Sequence, residues 1–122
     1  MFDWRDFLAL AQILGTGAPG SSLSIQVSEA TARCAVGRAY YAAFGHARDY
    51  AIQNLGFVST GGAADHGRLA RHFHAHGLSG VALGLGLLRT WRNECDYDGA
   101  VSNLPTKVRD ALRESAAVIQ RL

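Results

Sequence analysis

The stretch EATARCAVGRAYYAAFGHARDYAIQNL (residues 29–55) predicts one long helix with small residues on nearly every side. Ten of its positions hold alanine or glycine. Ser28 is a suitable N-cap, and Gly56 is a suitable residue to follow the last turn. A helix that is small and apolar nearly all round usually lies at the centre of a fold, because neighbours can press on it from several directions. The stretch therefore predicts a central helix.

Hydrophobic spacing predicts further helices on both sides of the central one. Residues 2–14 have an amphipathic pattern, and the glycine-rich GTGAPGSS (residues 15–22) follows as a loop. Only LSIQV (residues 23–27) suggests a short strand. After the flexible break STGGAA (residues 59–64), Asp65 is placed to cap a short helix.

The last part of the chain predicts two more helices, each with a buried stripe. Ser79 is placed to cap the first of them, and its apolar stripe consists of Val81, Leu85, Leu88 and Cys95. The stripe of the last helix consists of Val108, Leu112, Ala116 and Ile119. We therefore predict an all-α, four- to five-helix up-and-down bundle, formed by one domain over residues 1–122.

The composition is that of an ordinary globular protein, with 48% hydrophobic and 18% charged residues. The longest apolar run, GLSGVALGLGLL (residues 77–88), is shorter than the roughly 20 residues that a membrane span needs. MFDWRDFL at the start lacks a basic segment typical of a signal peptide. We expect a cytoplasmic protein away from membranes, with Cys34 and Cys95 as buried, reduced thiols.

A polar cluster occupies LLRTWRNECDYDG (residues 87–99). Arg89, Arg92, Asn93 and Asp96 are spaced i, i+3, i+4 and i+7, so they share one face of the predicted helix. An Arg92–Asp96 pair would stabilise the helix little, because the acid follows the base. The cluster is either a functional site or a polar helix end whose acid caps the next turn.

Three segments in order carry a family resemblance: GRAYYAAFGHAR (residues 37–48), DHGRLARHF (residues 65–73) and LLRTWRNECDYDG (residues 87–99). Together they resemble the HEPN family (higher eukaryotes and prokaryotes nucleotide-binding), in its small prokaryotic branch. The resemblance implies a helical bundle that forms a homodimer. It also implies binding to RNA or a nucleotide, and a place in a toxin–antitoxin or defence pair with a nucleotidyltransferase as the antitoxin partner. Many members are metal-independent ribonucleases.

The usual catalytic motif of that family is an arginine followed one to two helical turns later by a histidine. The resemblance makes Arg92 that arginine, with Arg89 assisting and with Asn93 and Asp96 as positioning residues. Arg89 is the other possible motif arginine. No histidine follows at the expected distance, because Asp96 and Tyr97 occupy those positions counted from Arg92, and Glu94, Cys95 and Asp96 occupy them counted from Arg89. Carboxyl and phenol groups ionise far from neutral pH, on opposite sides of it, so both replace histidine poorly as an acid or base.

A nuclease would then need a histidine from elsewhere, and His66 or His46 is the candidate to enter the same cleft, from this subunit or its mate. The alternative is a non-catalytic module that binds a nucleotide or docks a nucleotidyltransferase. Residues expected to contact RNA or a nucleotide are Tyr97, Arg38, His46, His66 and Tyr41.

Two further patterns have simpler explanations. Tyr41 and Phe44 have a spacing more typical of a core than of a stacking platform, and Tyr40 points elsewhere, toward a dimer mate. In RHFHAH only His72 and His76 share a helix face, so no metal site and no cofactor are expected.

Overall fold

The computed structural model describes residues 1–16 and 29–122, which form five helices and contain no strand. The helices are α1 (Arg5–Thr16), α2 (Glu29–Asn54), α3 (Asp65–Ala75), α4 (Ser79–Tyr97) and α5 (Leu104–Gln120). The predicted all-α bundle class is confirmed. The predicted Ser28 cap and the short strand over residues 23–27 lie outside the described residues.

Helix α2 is central, as its composition predicts, because it contacts all four other helices. Ala35, Ala39 and Ala43 are completely buried along it. At Gly45 the neighbour comes closer still, since an added Cβ atom would lie 2.0 Å from the Trp4 ring. The small residues therefore let neighbouring elements approach the α2 backbone. Gly56 follows the helix with a φ of +68°, the left-handed conformation expected at that position.

Two predicted caps are wrong. The N-cap residues of α3 and α4 are Ala64 and Leu78, and neither makes a side-chain capping bond. The Asp65 carboxylate turns back to the preceding loop, and the Ser79 hydroxyl bonds to His74 Nδ1. Local sequence suggested both caps, but more distant partners engage both side chains.

Helix α1 is displaced from its predicted range of residues 2–14. It begins at Arg5, whose amide donates to Asp3 Oδ1, and it continues through two residues of the predicted loop. Phe2 and Trp4 precede it and pack edge-to-face at 5.0 Å. Both rings also pack on Phe7 of α1, at 5.2 and 5.5 Å, so these aromatic residues cover the start of the helix instead of forming its first turn.

The buried stripe of α4 is confirmed at Val81, Leu85, Leu88 and Cys95. In α5 the buried set is rotated from the prediction, and consists of Val108, Ala111, Ser115 and Val118. Ser115 fits this position because its hydroxyl donates to the Ala39 carbonyl at 2.7 Å. Cys34 is exposed, so the prediction that it is buried is wrong. No described helix is long and apolar enough to span a membrane.

Candidate functional site

A cavity of about 720 Å³ lies beside α4, with walls from α2, α3 and the loop before α3. Its lining residues are Tyr41, Ala63, His66, Arg89, Thr90, Arg92, Asn93, Glu94, Tyr97 and Asp98. Six of the nine residues expected at a site are among them, while Asp96, Arg38 and His46 lie outside. The volume falls in the range of small-ligand sites, so a nucleotide-sized ligand would fit.

Four neighbouring side chains hold the Arg92 guanidinium in place. Its guanidinium carbon lies 5.3 Å from the centre of the Tyr41 ring and 5.5 Å from that of Tyr97. Nη1 donates to Asn93 Oδ1 at 3.1 Å, and Nε lies 2.8 Å from Asp96 Oδ2. The Nε–H does not point at that carboxylate closely enough for a hydrogen bond, so the contact is an ion pair. Arg92 is therefore a fixed charge in the cavity wall.

Arg89 differs because it makes no hydrogen bond or ion pair with any described residue, although it lines the same cavity. Its five N–H donors are available to a ligand. Arg33, by contrast, pairs with Glu29 and donates to three backbone carbonyls near the end of α4. A guanidinium without a protein partner in a cavity wall is suited to bind an anion, and phosphate matches its planar shape.

His66 connects the cavity to the core. Its ring stacks on Phe44 with centroids 4.5 Å apart, and its Nδ1 forms a hydrogen bond with the Tyr40 hydroxyl. Burial, with the positive charges of Arg89 and Arg92, lowers the pKa of His66, so the imidazole is neutral at pH 7. Burial also raises the pKa of Tyr40, so its hydroxyl keeps its proton.

The Tyr40 hydroxyl determines the tautomer of His66. Tyr40 is only 1% exposed and has no other acceptor among the described residues. The hydroxyl therefore donates to Nδ1, which assigns the remaining ring proton to Nε2. Neutral His66 is then a hydrogen-bond donor through Nε2. The expectation that Tyr40 faces a dimer mate is wrong, since it lies in the core four residues before Phe44.

The carboxylate of Asp65 organises the loop before α3. It accepts hydrogen bonds from the Ser59 hydroxyl at 2.6 Å, the Thr60 hydroxyl at 2.7 Å and the Gly61 amide at 3.1 Å. Arg68 also donates to it at 2.7 Å. These hydrogen bonds lower the pKa of Asp65. The segment predicted as a flexible break is thus tied to the residue that precedes His66.

The charges of the cavity are unevenly distributed. Arg89 and His66 are at one end, whereas Glu94 lies farther along α4 and Asp98 follows its last residue. Nine residues of helical rise separate Arg89 from Asp98, about 13 Å. Lys107 partly neutralises Glu94 through an ion pair of 2.9 Å. The cavity therefore offers an anion-binding end and an end rich in hydrogen-bond acceptors.

Asp96 acts on the cavity only through Arg92. Three of the four residues of the predicted polar face line the cavity, and Asp96 turns toward α2 instead. Its Oδ1 lies 3.8 Å from the position that a Cβ atom would take at Gly37. Asp96 is thus a positioning residue in this geometry.

Arg38 and His46 do not reach the cavity. The Arg38 guanidinium lies over the Phe7 ring at 5.0 Å and the Tyr41 ring at 5.4 Å, so it contacts the site through Tyr41 alone. His46 lines a separate cavity of about 320 Å³ that the N-terminal residues cover. Both residues were expected to contact RNA or a nucleotide, and both lie outside the cavity because Phe7 of α1 and the residues before α1 pack on them.

The histidines of α3 are engaged in local contacts. His72 Nε2 bonds to the Leu55 carbonyl at 2.7 Å, and His76 Nδ1 bonds to the His72 carbonyl at 2.8 Å. Within residues 1–16 and 29–122, no group of three or more histidine, cysteine or acidic residues is arranged to hold a metal ion.

Comparison with known proteins gives no relative: no protein-family model, curated protein or solved structure matches this chain. The resemblance to the HEPN family therefore stays a prediction from the sequence. The cavity geometry provides the basis for a function.

Proposed function

We propose that this protein is a HEPN-like, RNA-binding member of a toxin–antitoxin or defence pair, and that the cavity beside α4 binds a phosphate of the RNA backbone. The observation that carries the proposal is Arg89, which has no partner among the described residues and lines one cavity with Arg92 and His66. Two guanidinium groups and one N–H donor match the oxygens of a phosphodiester. The family resemblance supplies the biological setting, including a nucleotidyltransferase as antitoxin.

The other end of the cavity suits the sugar and base of a nucleotide. Glu94 and Asp98 provide acceptors for ribose hydroxyl groups, which distinguish RNA from DNA. Tyr97 is 72% exposed at this end, and an exposed aromatic ring is a stacking surface for an unpaired base. A single-stranded RNA segment would therefore bind with a phosphate at the end near Arg89 and with its ribose and base at the end near Glu94.

A second copy of the chain would complete this site. Leu83 and Leu87 are 69% and 41% exposed on α4. They share one helix face with Thr90 and Tyr97, which line the cavity. A homodimer formed through this face would cover both leucines and place the α4 of the partner subunit at the cavity mouth.

The direct test measures binding of a fluorescent single-stranded RNA by anisotropy in EDTA. Arg89→Ala should weaken binding by about 10- to 100-fold, the effect of losing a hydrogen bond to a charged group. Arg113→Ala is the matched control, because Arg113 is exposed on α5 and has no partner among the described residues. Equal affinities of the wild type and Arg89→Ala would refute the proposal.

Metal-independent RNA cleavage is a second candidate, and His66 favours it. A bound phosphate would raise the pKa of His66 by supplying an opposite charge. Once the ring is protonated, its Nδ1–H donates to the Tyr40 oxygen. Its Nε2–H then donates to the 5′-oxygen, which is the leaving group. The ribose 2′-oxygen loses its proton to water and attacks phosphorus. The 5′-oxygen leaves with the proton from His66, which produces a 2′,3′-cyclic phosphate.

The same EDTA incubation distinguishes cleavage from binding alone. Cleavage predicts cyclic phosphate ends, with activity lost in His66→Gln and Arg92→Ala. The non-catalytic alternative, a module that binds a nucleotide or docks a nucleotidyltransferase, predicts intact RNA together with binding that Arg89→Ala weakens. The firm pairing of Arg92 with Asp96 and Asn93 favours this alternative, because a charge already paired stabilises a transition state less.

A further inference from the structure

Gly67, in the first turn of α3, lies between two guanidinium groups. A Cβ atom added there would lie 3.2 Å from Arg71 Nη1 and 3.7 Å from Arg89 Nη1. Both nitrogens therefore lie within reach of the oxygens of a single phosphate. Arg89 lines the cavity described above, whereas Arg71 lines a neighbouring depression of about 490 Å³.

No carboxylate among the described residues neutralises either arginine. Like Arg89, Arg71 makes no hydrogen bond or ion pair with a described residue. Arg68, on the same helix, is paired with Asp65 at 2.7 Å and with the Val58 carbonyl at 3.1 Å. Two like charges that converge without a carboxylate repel each other, so their placement does not serve stability. An anion between them would remove the repulsion.

We propose that Arg71 and Arg89 form a second phosphate subsite over Gly67, so that the ligand is a polynucleotide strand with consecutive phosphates rather than a mononucleotide. The inference rests on the proposed function and specifies its substrate. Arg89 is shared by the two subsites, and the strand continues from the cavity across α3 toward Arg71. The missing side chain at Gly67 allows the strand backbone to approach the helix.

The test compares two probes on the full chain: a single-stranded RNA of about eight nucleotides and inorganic phosphate. Arg71→Gln should weaken RNA binding several-fold and reduce the slope of log affinity against log salt by about 0.7, the value for one lost contact on a single strand. Its phosphate binding, followed by NMR shifts at His66, should be unchanged. Arg113→Gln is the control of equal charge, and thermal melting verifies that both variants fold.

A second variant, Gly67→Ala, adds a methyl group between Arg71 and Arg89 and keeps both of their charges. Gly67→Ala should leave the protein folded with a melting temperature near that of the wild type, because alanine is a better helix former than glycine and the nearby Arg71 side chain can move aside. It should nevertheless weaken RNA binding, since its Cβ atom occupies the space over the helix. Equal weakening by Arg71→Gln and Arg113→Gln would overturn the subsite, and so would wild-type RNA affinity in both Arg71→Gln and Gly67→Ala. In either outcome, phosphate binding that is lost in Arg89→Ala would leave the proposed function standing. If the wild-type protein binds neither RNA nor phosphate, the subsite and the proposed function are both overturned.

Discussion

Replacing Tyr40 by phenylalanine tests the hydrogen bond that joins the core to the cavity. The change removes one oxygen atom and keeps the ring, so it creates almost no cavity in the core. The lost hydrogen bond is worth about 0.5–1.5 kcal/mol, and a buried acceptor left without a donor costs about 1–3 kcal/mol. Because His66 is only half-buried, water can partly replace the hydroxyl. We therefore expect Tyr40→Phe to lower the free energy of unfolding by about 1–2 kcal/mol.

The same variant should change the titration of His66. A hydroxyl that donates to Nδ1 stabilises the neutral imidazole, so its removal should raise the pKa of His66 toward the ordinary value of 6.5. Urea unfolding measures the first effect, and an NMR titration of the imidazole carbon-bound protons measures the second. Nitrogen shifts of the ring at neutral pH should also report the proton on Nε2 in the wild type.

Tyr41→Phe is the matched control for both measurements. Tyr41 lies beside Tyr40 in the sequence and lines the cavity, but its hydroxyl makes no hydrogen bond with a described residue. Its removal should change neither stability nor the pKa of His66 appreciably. If Tyr40→Phe were as stable as the wild type and His66 titrated identically in both, the hydroxyl–imidazole bond would be absent in solution.

Two further predictions concern pH and packing. Burial lowers the pKa of both His66 and His46, so the unfolded chain binds protons first as the pH falls past 6.5. The free energy of unfolding should therefore decline below pH 6.5 and level off once the folded protein is also protonated, with a smaller decline in His66→Gln. Urea unfolding at several pH values measures this, and an identical decline in His66→Gln would contradict the assignment. Leu88→Ala, at a completely buried site, should cost about 2–5 kcal/mol, whereas Ile52→Ala, 45% exposed, should cost under about 0.5 kcal/mol. Similar losses in both variants would mean that Leu88 is not in the core.

Part of the site was predictable because it lies on one helix. Arg89, Arg92 and Asn93 are close in sequence, and helical periodicity alone places them on one face. Periodicity does not specify the exact orientation of that face, so Asp96 was expected in the cavity although it turns toward α2. The sequence offers His66 as a histidine from another helix that could enter the site, and the structure places it in the cavity. The sequence offers His46 in the same way, but this residue lines a separate cavity with the residues before α1.

By itself, the sequence determined the all-helical class, the central position of α2 and its end at Gly56. These properties depend on residue size and backbone freedom within a few turns of chain. Only the tertiary structure decided that Tyr40 meets His66 and that Arg71 meets Arg89 over Gly67. These contacts join residues on different helices, and no local pattern specifies which side chains will meet when helices pack. An arginine without a partner is likewise a property of the whole fold, because it depends on every carboxylate that could have approached it.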